Sequence, residues 1–430
     1  MDEWISLNDN GGWSWFQDER AIIDPRSGLL LVSSIANGRG AGAEHRAGDV
    51  DIVAYDLTQR RVVARHVLAK INPDDHNSAA LLVRPDGRFL AVYSNHGDDH
   101  LSRWRISARP GDASEWRPER TFDHYPGQHH VWTGVTYSNL LYLASENRIY
   151  NFTRTHGYDP NFIISSDGGE SWNYGGHLLT DPARNPSQRP YVKYASNGVD
   201  RIDFITTEGH PNAYNNGIYS GYLRRGKLFK TDGTLVGAPG GADGKTAPRA
   251  DAFTPLLVAN SVFAGLKRTH AWPVDLVVDR AGVPHAMFSS RIDGNSDDHR
   301  FYYARWNGQR WNVIELARAG AGLYPAEQDY TGLGAIDPED PGFVVISTPI
   351  DPATGATMEH YELFCGRSRD GGATWRWRAL TQRSSADNLR PTIPAAGGGA
   401  RAILWLRGSY RTYTDYNLAV VGILQDRVMD

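Results

Sequence analysis

One eight-residue pattern occurs twice in this chain and limits what it can fold into. Ser165-Ser166-Asp167-Gly168-Gly169-Glu170-Ser171-Trp172 and Ser368-Arg369-Asp370-Gly371-Gly372-Ala373-Thr374-Trp375 share the form S-x-D-x-G-x-[ST]-W. An Asp in that place accepts backbone N–H bonds, the Gly takes up the turn dihedrals, and the Trp packs underneath. The pattern is a hairpin turn, so the chain contains antiparallel strand pairs of one recurring construction. Composition agrees: 45 Gly, 13 Trp and 21 Tyr in 430 residues point to many short strands joined by tight turns. Only 4 Met, and few runs of Ala, Leu, Glu and Lys at helical spacing, argue against a helical protein.

Weaker hairpins fill the rest of the chain, each reading as apolar strand, polar turn, apolar strand. Their turns are Asp24–Gly28, Pro85–Gly87, Ser145–Asn147, Ser196–Gly198, Asp279–Gly282, Asp337–Gly342 and Ala396–Gly399. Most lie roughly 50–60 residues apart, a little more than the ~40–50 of a compact propeller blade. The longer gap from Gly198 to Asp279 implies an insertion. Radial repetition of small sheets is how a propeller protects its strand edges. The expectation is an all-β chain: one seven-bladed β-propeller of four-stranded antiparallel blades, a single domain over residues 1–430. Two β-sandwiches would not account for a single period.

Charge and cysteine content remove several function classes. The 45 basic and 49 acidic residues give a net charge of −4, without the basic excess of a general nucleic-acid binder. No apolar run approaches the ~20 residues of a membrane span. A single cysteine, Cys365, excludes an intramolecular disulfide and a multi-cysteine zinc site. The opening MDEWISLNDNGG shows no signal peptide, which favours the cytoplasm, or a secreted mature form if a leader was trimmed.

The hairpins also carry the functional argument, because residues equidistant from a turn centre face each other across its strands. His76 and His96 each lie ten positions from Asp86. Tyr137 and Arg154 are centred on 145.5, Arg189 and His210 on 199.5, His270 and Arg291 on 280.5, and Arg390 and Arg407 on 398.5. A strand-end His is often structural and a strand-end Arg often caps carbonyls. Several hairpins placing such groups at their mouths nonetheless suit a polyanionic ligand. His, Tyr and Arg without an evident carboxylate pair suit β-elimination on a uronic acid: a base takes the C5 proton and a cation neutralises the carboxylate. Glycoside hydrolysis normally needs two carboxylates at a defined separation. The string His96-Gly97-Asp98-Asp99-His100 and the dyad His129-His130 match no specific metal motif, and Pro239–Thr246 is a loop, since Pro239 replaces the first Gly of a P-loop.

The octamers are Asp-boxes, also called BNR repeats. Together with Asp74–Ser78, Tyr93–His96, Arg189–Tyr194 and Thr207–Pro211, they make the chain resemble the BNR-repeat propeller family, over roughly residues 10–425. That family includes ulvan lyases and related rhamnosyl-glucuronate lyases. The resemblance implies elimination at a rhamnose-α-(1→4)-glucuronate bond, with His76 and His96 as the histidine pair and Tyr137 and Arg154 as the later tyrosine and arginine. Tyr142 and Tyr150 compete for the tyrosine role. Arg189, Tyr191, His210, His270, Arg291 and Arg390 become candidates for substrate binding. The implied partner is an anionic uronate-containing saccharide, bound by a monomer, with no nucleic acid or membrane. No cofactor is required for the chemistry, and a structural calcium ion would be compatible. A hydrolase on the same linkage and a non-catalytic carbohydrate-binding propeller are the alternatives. Sialidases share the Asp-box, but the nearest counterpart of their arginine signature, Glu19-Arg20-Ala21-Ile22, lacks the proline.

Overall fold

The computed structural model describes residues 4–127, 134–183, 185 and 188–425. Among the described residues there are seven antiparallel sheets in chain order, the strand order of a seven-bladed β-propeller. Each of the seven turns read from the sequence joins two consecutive strands of one sheet. Thus Pro85–Gly87 links Ala80–Val83 to Phe89–Tyr93, and Ser196–Gly198 links Val192–Ser196 to Ile202–Thr207. The N-terminal strand Ile5–Asn8 pairs with Asp415–Gln425 and completes the last sheet.

Four sheets hold four strands, but the second and fifth hold five and the fourth holds six. The extra strands are additions to the four-stranded antiparallel plan that the sequence led us to expect. The long interval before Asp279 supplies Lys227–Lys230, Leu235–Gly237 and Thr254–Leu257 to the fourth sheet and Val262–Phe263 to the fifth. In the second sheet Asp112–Trp116 folds back onto Leu101–Arg109.

The chain divides into two compact units. One comprises residues 1–142, 147–175 and 392–430, the other residues 143–146 and 176–391. In the first, Leu31, Val50, Leu81, Phe89 and Trp116 form one core cluster, and Leu90, Trp104, Ile163 and Trp172 another. In the second, Ile205, Leu257, Phe288, Tyr302 and Trp306 pack together.

Both octamers fold as the physical reading requires. Ser165 Oγ donates to Asp167 Oδ1 at 2.7 Å, and that same oxygen accepts Ser171 N at 2.9 Å. Ser368, Asp370 and Thr374 repeat the arrangement at 2.8 and 2.9 Å. Gly372 has φ +95°, and a Cβ there would lie 2.3 Å from the Tyr303 ring, so glycine is required twice over. Trp172 meets Trp104 at 6.2 Å between ring centroids, and Trp375 meets Tyr303 at 5.0 Å. The boxes are structural fasteners between third and fourth strands.

A buried histidine of the first unit gives the fold a built-in acid sensitivity. His124 follows the strand Arg120–Asp123 and shares a 2.9 Å hydrogen bond between its Nε2 and Ser102 Oγ. Burial first, then the charges of His156 and His100, lower its pKa to about 3. An unfolded His takes up a proton near pH ~6.5, so the unfolded chain binds more protons between those two values. Stability should therefore fall as pH drops from ~6.5 towards 3, by about 3 kcal/mol at pH ~4.5 from this group. Denaturant titrations of the wild type and His124→Gln at neutral and acid pH check it: the variant should lose visibly less stability on acidification, and parallel losses would remove His124 as a cause.

Candidate active site

The site begins in a short 3₁₀ turn, Asp75–Asn77, just before the first strand of the second sheet. Asp74 caps that turn, its carboxylate accepting His76 N at 3.0 Å. The cap brings the His76 side chain back onto the same carboxylate, with Nδ1 2.6 Å from Oδ1. His96 follows the second strand, and its backbone N donates to Asn77 Oδ1 at 2.7 Å. Its Nδ1 lies 2.8 Å from Asp74 Oδ2. Ala80 pairs with Val92 in this hairpin, so the register is centred on Asp86 and both histidines emerge at one end. Their rings stack at 4.3 Å with 30° between planes.

Two tyrosines close on the pair. Tyr137, near the start of the third sheet, is buried, has φ +66° and lies 5.3 Å from the His76 ring. A left-handed backbone is costly for an aromatic residue and occurs where the surroundings impose it, often at functional sites. Tyr413 sits in the turn between Arg401–Thr412 and Asp415–Gln425 and presents its ring edge to both imidazoles, at 5.2 Å from His76 and 6.0 Å from His96. The Tyr413 carbonyl accepts Asp75 N at 2.9 Å, and Tyr410 OH donates to Asp75 Oδ2 at 2.8 Å. The last hairpin is thereby fastened to the histidine turn.

The electrostatics follow from this packing. Burial works against the charge on Asp74, but the charge of His76 and the bonds from both rings outweigh it and hold the carboxyl below its usual range. For His96, burial lowers the pKa, the neighbouring His76 lowers it further, and Arg154 acts in the same direction against Asp74. His96 is therefore neutral at neutral pH and able to accept a proton. Arg154, half-buried near the end of Arg148–Thr155, places its guanidinium 5.6 Å from the Tyr158 ring centroid. An arginine stays charged throughout, so the site holds a fixed cation.

Asp74, His76 and His96 offer donor atoms within 4.8 Å of one another. Two imidazoles and one carboxylate would suit a zinc-class ion and not oxygen-loving calcium. The 2.6 and 2.8 Å Nδ1–carboxylate separations, however, are those of charge-assisted hydrogen bonds. The arrangement is a carboxylate clamp on two imidazoles. Asp74 is kept ionised by its partners, so it does not serve as the proton-donating acid of a carboxylate-pair hydrolase.

The remaining sequence candidates fall elsewhere. Tyr142 OH donates to Asn147 in its own turn, and Tyr150 packs between Phe152 and Phe162, so neither approaches the histidines as Tyr137 does. In the other unit, Tyr191, His210 and Trp272 form an aromatic cluster with centroid distances of 4.9–5.5 Å. Arg390 lies 6.0 Å from the Tyr330 ring, itself against Trp272. Arg189 Nη1 donates to Thr180 Oγ1 at 3.3 Å. Arg291 forks onto Asp329 at 2.7 and 2.6 Å in a fully buried pair that also engages His299. His270 occupies a bulge with φ +50°, where Thr269 and not His270 is the partner of Arg291. In the loop after His96, Asp98 accepts Asn95 and Asp99 pairs with Arg103, so the two acids serve the loop itself. His129 and His130 lie outside the described residues.

Sequence reasoning missed Asp74 and Tyr413 as site residues. Asp74 was signalled by its place two residues before His76, the spacing of a side chain that can cap and clamp at once. Tyr413 carried no local signal.

Comparison with known proteins supports the fold and family. A family model described as BNR repeat-containing family member matches residues 43–319. No curated protein matches the sequence. Among solved structures, an ulvan lyase of polysaccharide lyase family PL25, bound to -[GlcA(1-4)Rha3S]-, superposes with a TM-score of 0.68 at 15% identity, covering 99% of this chain and 96% of that one. The polysaccharide lyase Uly1 gives a TM-score of 0.57 at 10% identity, covering 95% and 90%.

Proposed function

This chain belongs to the BNR repeat-containing family, and from that premise we propose that it is a polysaccharide lyase acting on rhamnose-α-(1→4)-glucuronate linkages. The observation that carries the reading is the pair of stacked imidazoles held on one ionised carboxylate, beside a buried tyrosine. An ulvan lyase of the same fold, solved with a glucuronate–rhamnose oligosaccharide, supports the substrate class.

In the proposed reaction an imidazole Nε2 removes the C5 proton of the glucuronate. The electrons of that C–H bond form the C4=C5 double bond, and the C4–O bond to the rhamnose side breaks. Tyr137 OH protonates the departing oxygen, and the imidazolium later returns its proton through solvent to the tyrosinate. Arg154 neutralises the uronate carboxylate, whose charge grows in the enolate-like transition state. Within the other unit, Arg189, Tyr191, His210, His270, Arg291 and Arg390 are assigned to saccharide recognition, Tyr191 and His210 through ring contacts. Arg291 is the least direct of these, since its guanidinium is already engaged by Asp329 in a buried pair. The chemistry needs no cofactor.

The experiment is to supply a panel of uronate-containing glycans and follow the ultraviolet absorbance of the unsaturated uronate. A rise with ulvan-type polymers supports the reading, and new reducing ends without absorbance would replace it with a hydrolase.

A further inference from the structure

The histidine pair serves one sugar of a polymer, and the hairpin that carries Tyr413 holds positive charge that the reaction does not use. We propose that Arg39 and Arg411 form an oxyanion subsite beside the histidines, binding a sulfate ester or a second uronate carboxylate on a sugar that flanks the cleaved bond. The proposal deepens the lyase reading and rests on it for the identity of the polymer.

Both arginines lie at the end of their sheets where the histidines emerge. Arg39 sits in the loop after Leu29–Ile35, and Arg411 is next to last in the strand Arg401–Thr412. Two residues beyond Arg411, Tyr413 sets its ring edge against His76 and His96. A buried amide ties the first loop to this hairpin and to the histidine turn together. Asn37 Nδ2 donates to Pro73 O, just before Asp74, and to Thr414 O, just after Tyr413, both at 3.0 Å. Its Oδ1 accepts Arg39 N at 3.2 Å. Asn10 holds the loop from the other side, its Nδ2 donating to Asn37 O and Ala41 O at 3.0 Å. A Cβ at Gly40 would come within 2.2 Å of that amide, so the loop is wrapped tightly on Asn10. Arg39 therefore starts from a set position relative to the histidine pair.

The two guanidiniums share one carboxylate. Arg39 Nε donates to Asp415 Oδ1 at 3.2 Å, and Arg411 Nη1 lies 3.8 Å from Asp415 Oδ2. Among the described residues their side chains have no other ion-pair or hydrogen-bond partner. One positive charge is left over, and with side chains 63% and 68% exposed, most of their N–H donors are open to a ligand. Exposed ion pairs contribute at most about 1 kcal/mol, so holding the fold is a poor account of this pairing. A guanidinium binds sulfate-like or carboxylate oxygens through parallel N–H bonds and loses its hydration more readily than an ammonium. Arg154 serves the uronate that reacts, and Arg39 and Arg411 serve the next anion along the chain.

Arg39→Ala/Arg411→Ala is expected to raise KM for an ulvan-type polymer ~10-fold at low ionic strength, with kcat within about two-fold, the pattern of lost uniform binding. Added salt should shrink the difference. Titration of the polymer's oligosaccharides into the slow His96→Ala background, with and without the two arginine changes, should show the same ~10-fold loss of affinity. Desulfated and carboxyl-reduced oligosaccharides then identify the anion: the treatment that removes the recognised group should diminish or abolish the difference. A control that removes two exposed arginines at the opposite ends of strands Asp49–Asp56 and Leu101–Arg109, Arg60→Ala/Arg109→Ala, should leave affinity within about two-fold. Equal or unmeasurable affinities with and without the arginine pair, a difference that survives both treatments, or an equal loss in the control would overturn the subsite. If the wild type cleaves no glycan, the lyase reading fails, while the titrations need no turnover and still decide.

Discussion

Replacing His76 or His96 by Ala is expected to lower turnover by ~10²-fold or more in each case, while leaving a folded protein. The double variant should lose much less than the product of the two, because residues acting on one proton behave as a unit. The reason is the shared carboxylate: removing either ring takes one imidazole bond from Asp74 and changes the environment of the other imidazole. Some stability should go as well, about 1–3 kcal/mol in His96→Ala, where Asp74 Oδ2 loses its imidazole bond, and less in His76→Ala, where Oδ1 keeps the backbone N–H of residue 76. Melting temperature and turnover must therefore be measured together on the three variants. Stable, inactive proteins agree with catalysis by the pair. Active proteins with lowered melting temperatures would make the histidines structural.

Removal of the fixed cation should be nearly as damaging. Arg154→Ala is expected to reduce kcat by ~10²–10³, the usual effect of deleting one preorganised electrostatic partner of a developing negative charge. The guanidinium also helps to hold His96 neutral, so its loss should move the acid limb of the pH–rate profile upward. The sign is fixed: with less opposing positive charge nearby, His96 takes up its proton at a higher pH. Measuring kcat against pH for the wild type and Arg154→Ala tests both effects. A variant with most of its turnover and an unmoved profile would take Arg154 out of the site.

The fold was legible because its signals are local. Turn residues punctuate each sheet, and the Asp-boxes specify their own hydrogen bonds within eight positions. Mirror counting about Asp86 located the histidine pair because the strands flanking that turn pair without a bulge. The same counting is one residue out at His270, where a bulge between Thr269 and Trp272 shifts the register. No spacing rule foresees a bulge. Long-range partners were equally invisible. Tyr410 and Asp75 are 335 positions apart, so nothing local indicated that the last hairpin bears on the first histidine. Asp329 comes from a loop outside the strands, which hid the buried pair it makes with Arg291. The extra strands of the fourth sheet arise from an interval whose length was evident but whose pairing depends on the strand Ile218–Arg224 already in place.

The central claim is that the paired imidazoles break a glycosidic bond by elimination and not by adding water. Degradation of an ulvan-type polymer in heavy-oxygen water, followed by mass analysis of the products, tests it most directly. Elimination predicts a new non-reducing end that is a 4,5-unsaturated uronate, lighter than a hydrolysis product by one water, with no heavy oxygen introduced by bond cleavage. Saturated ends with one heavy oxygen fixed per bond broken would contradict the account.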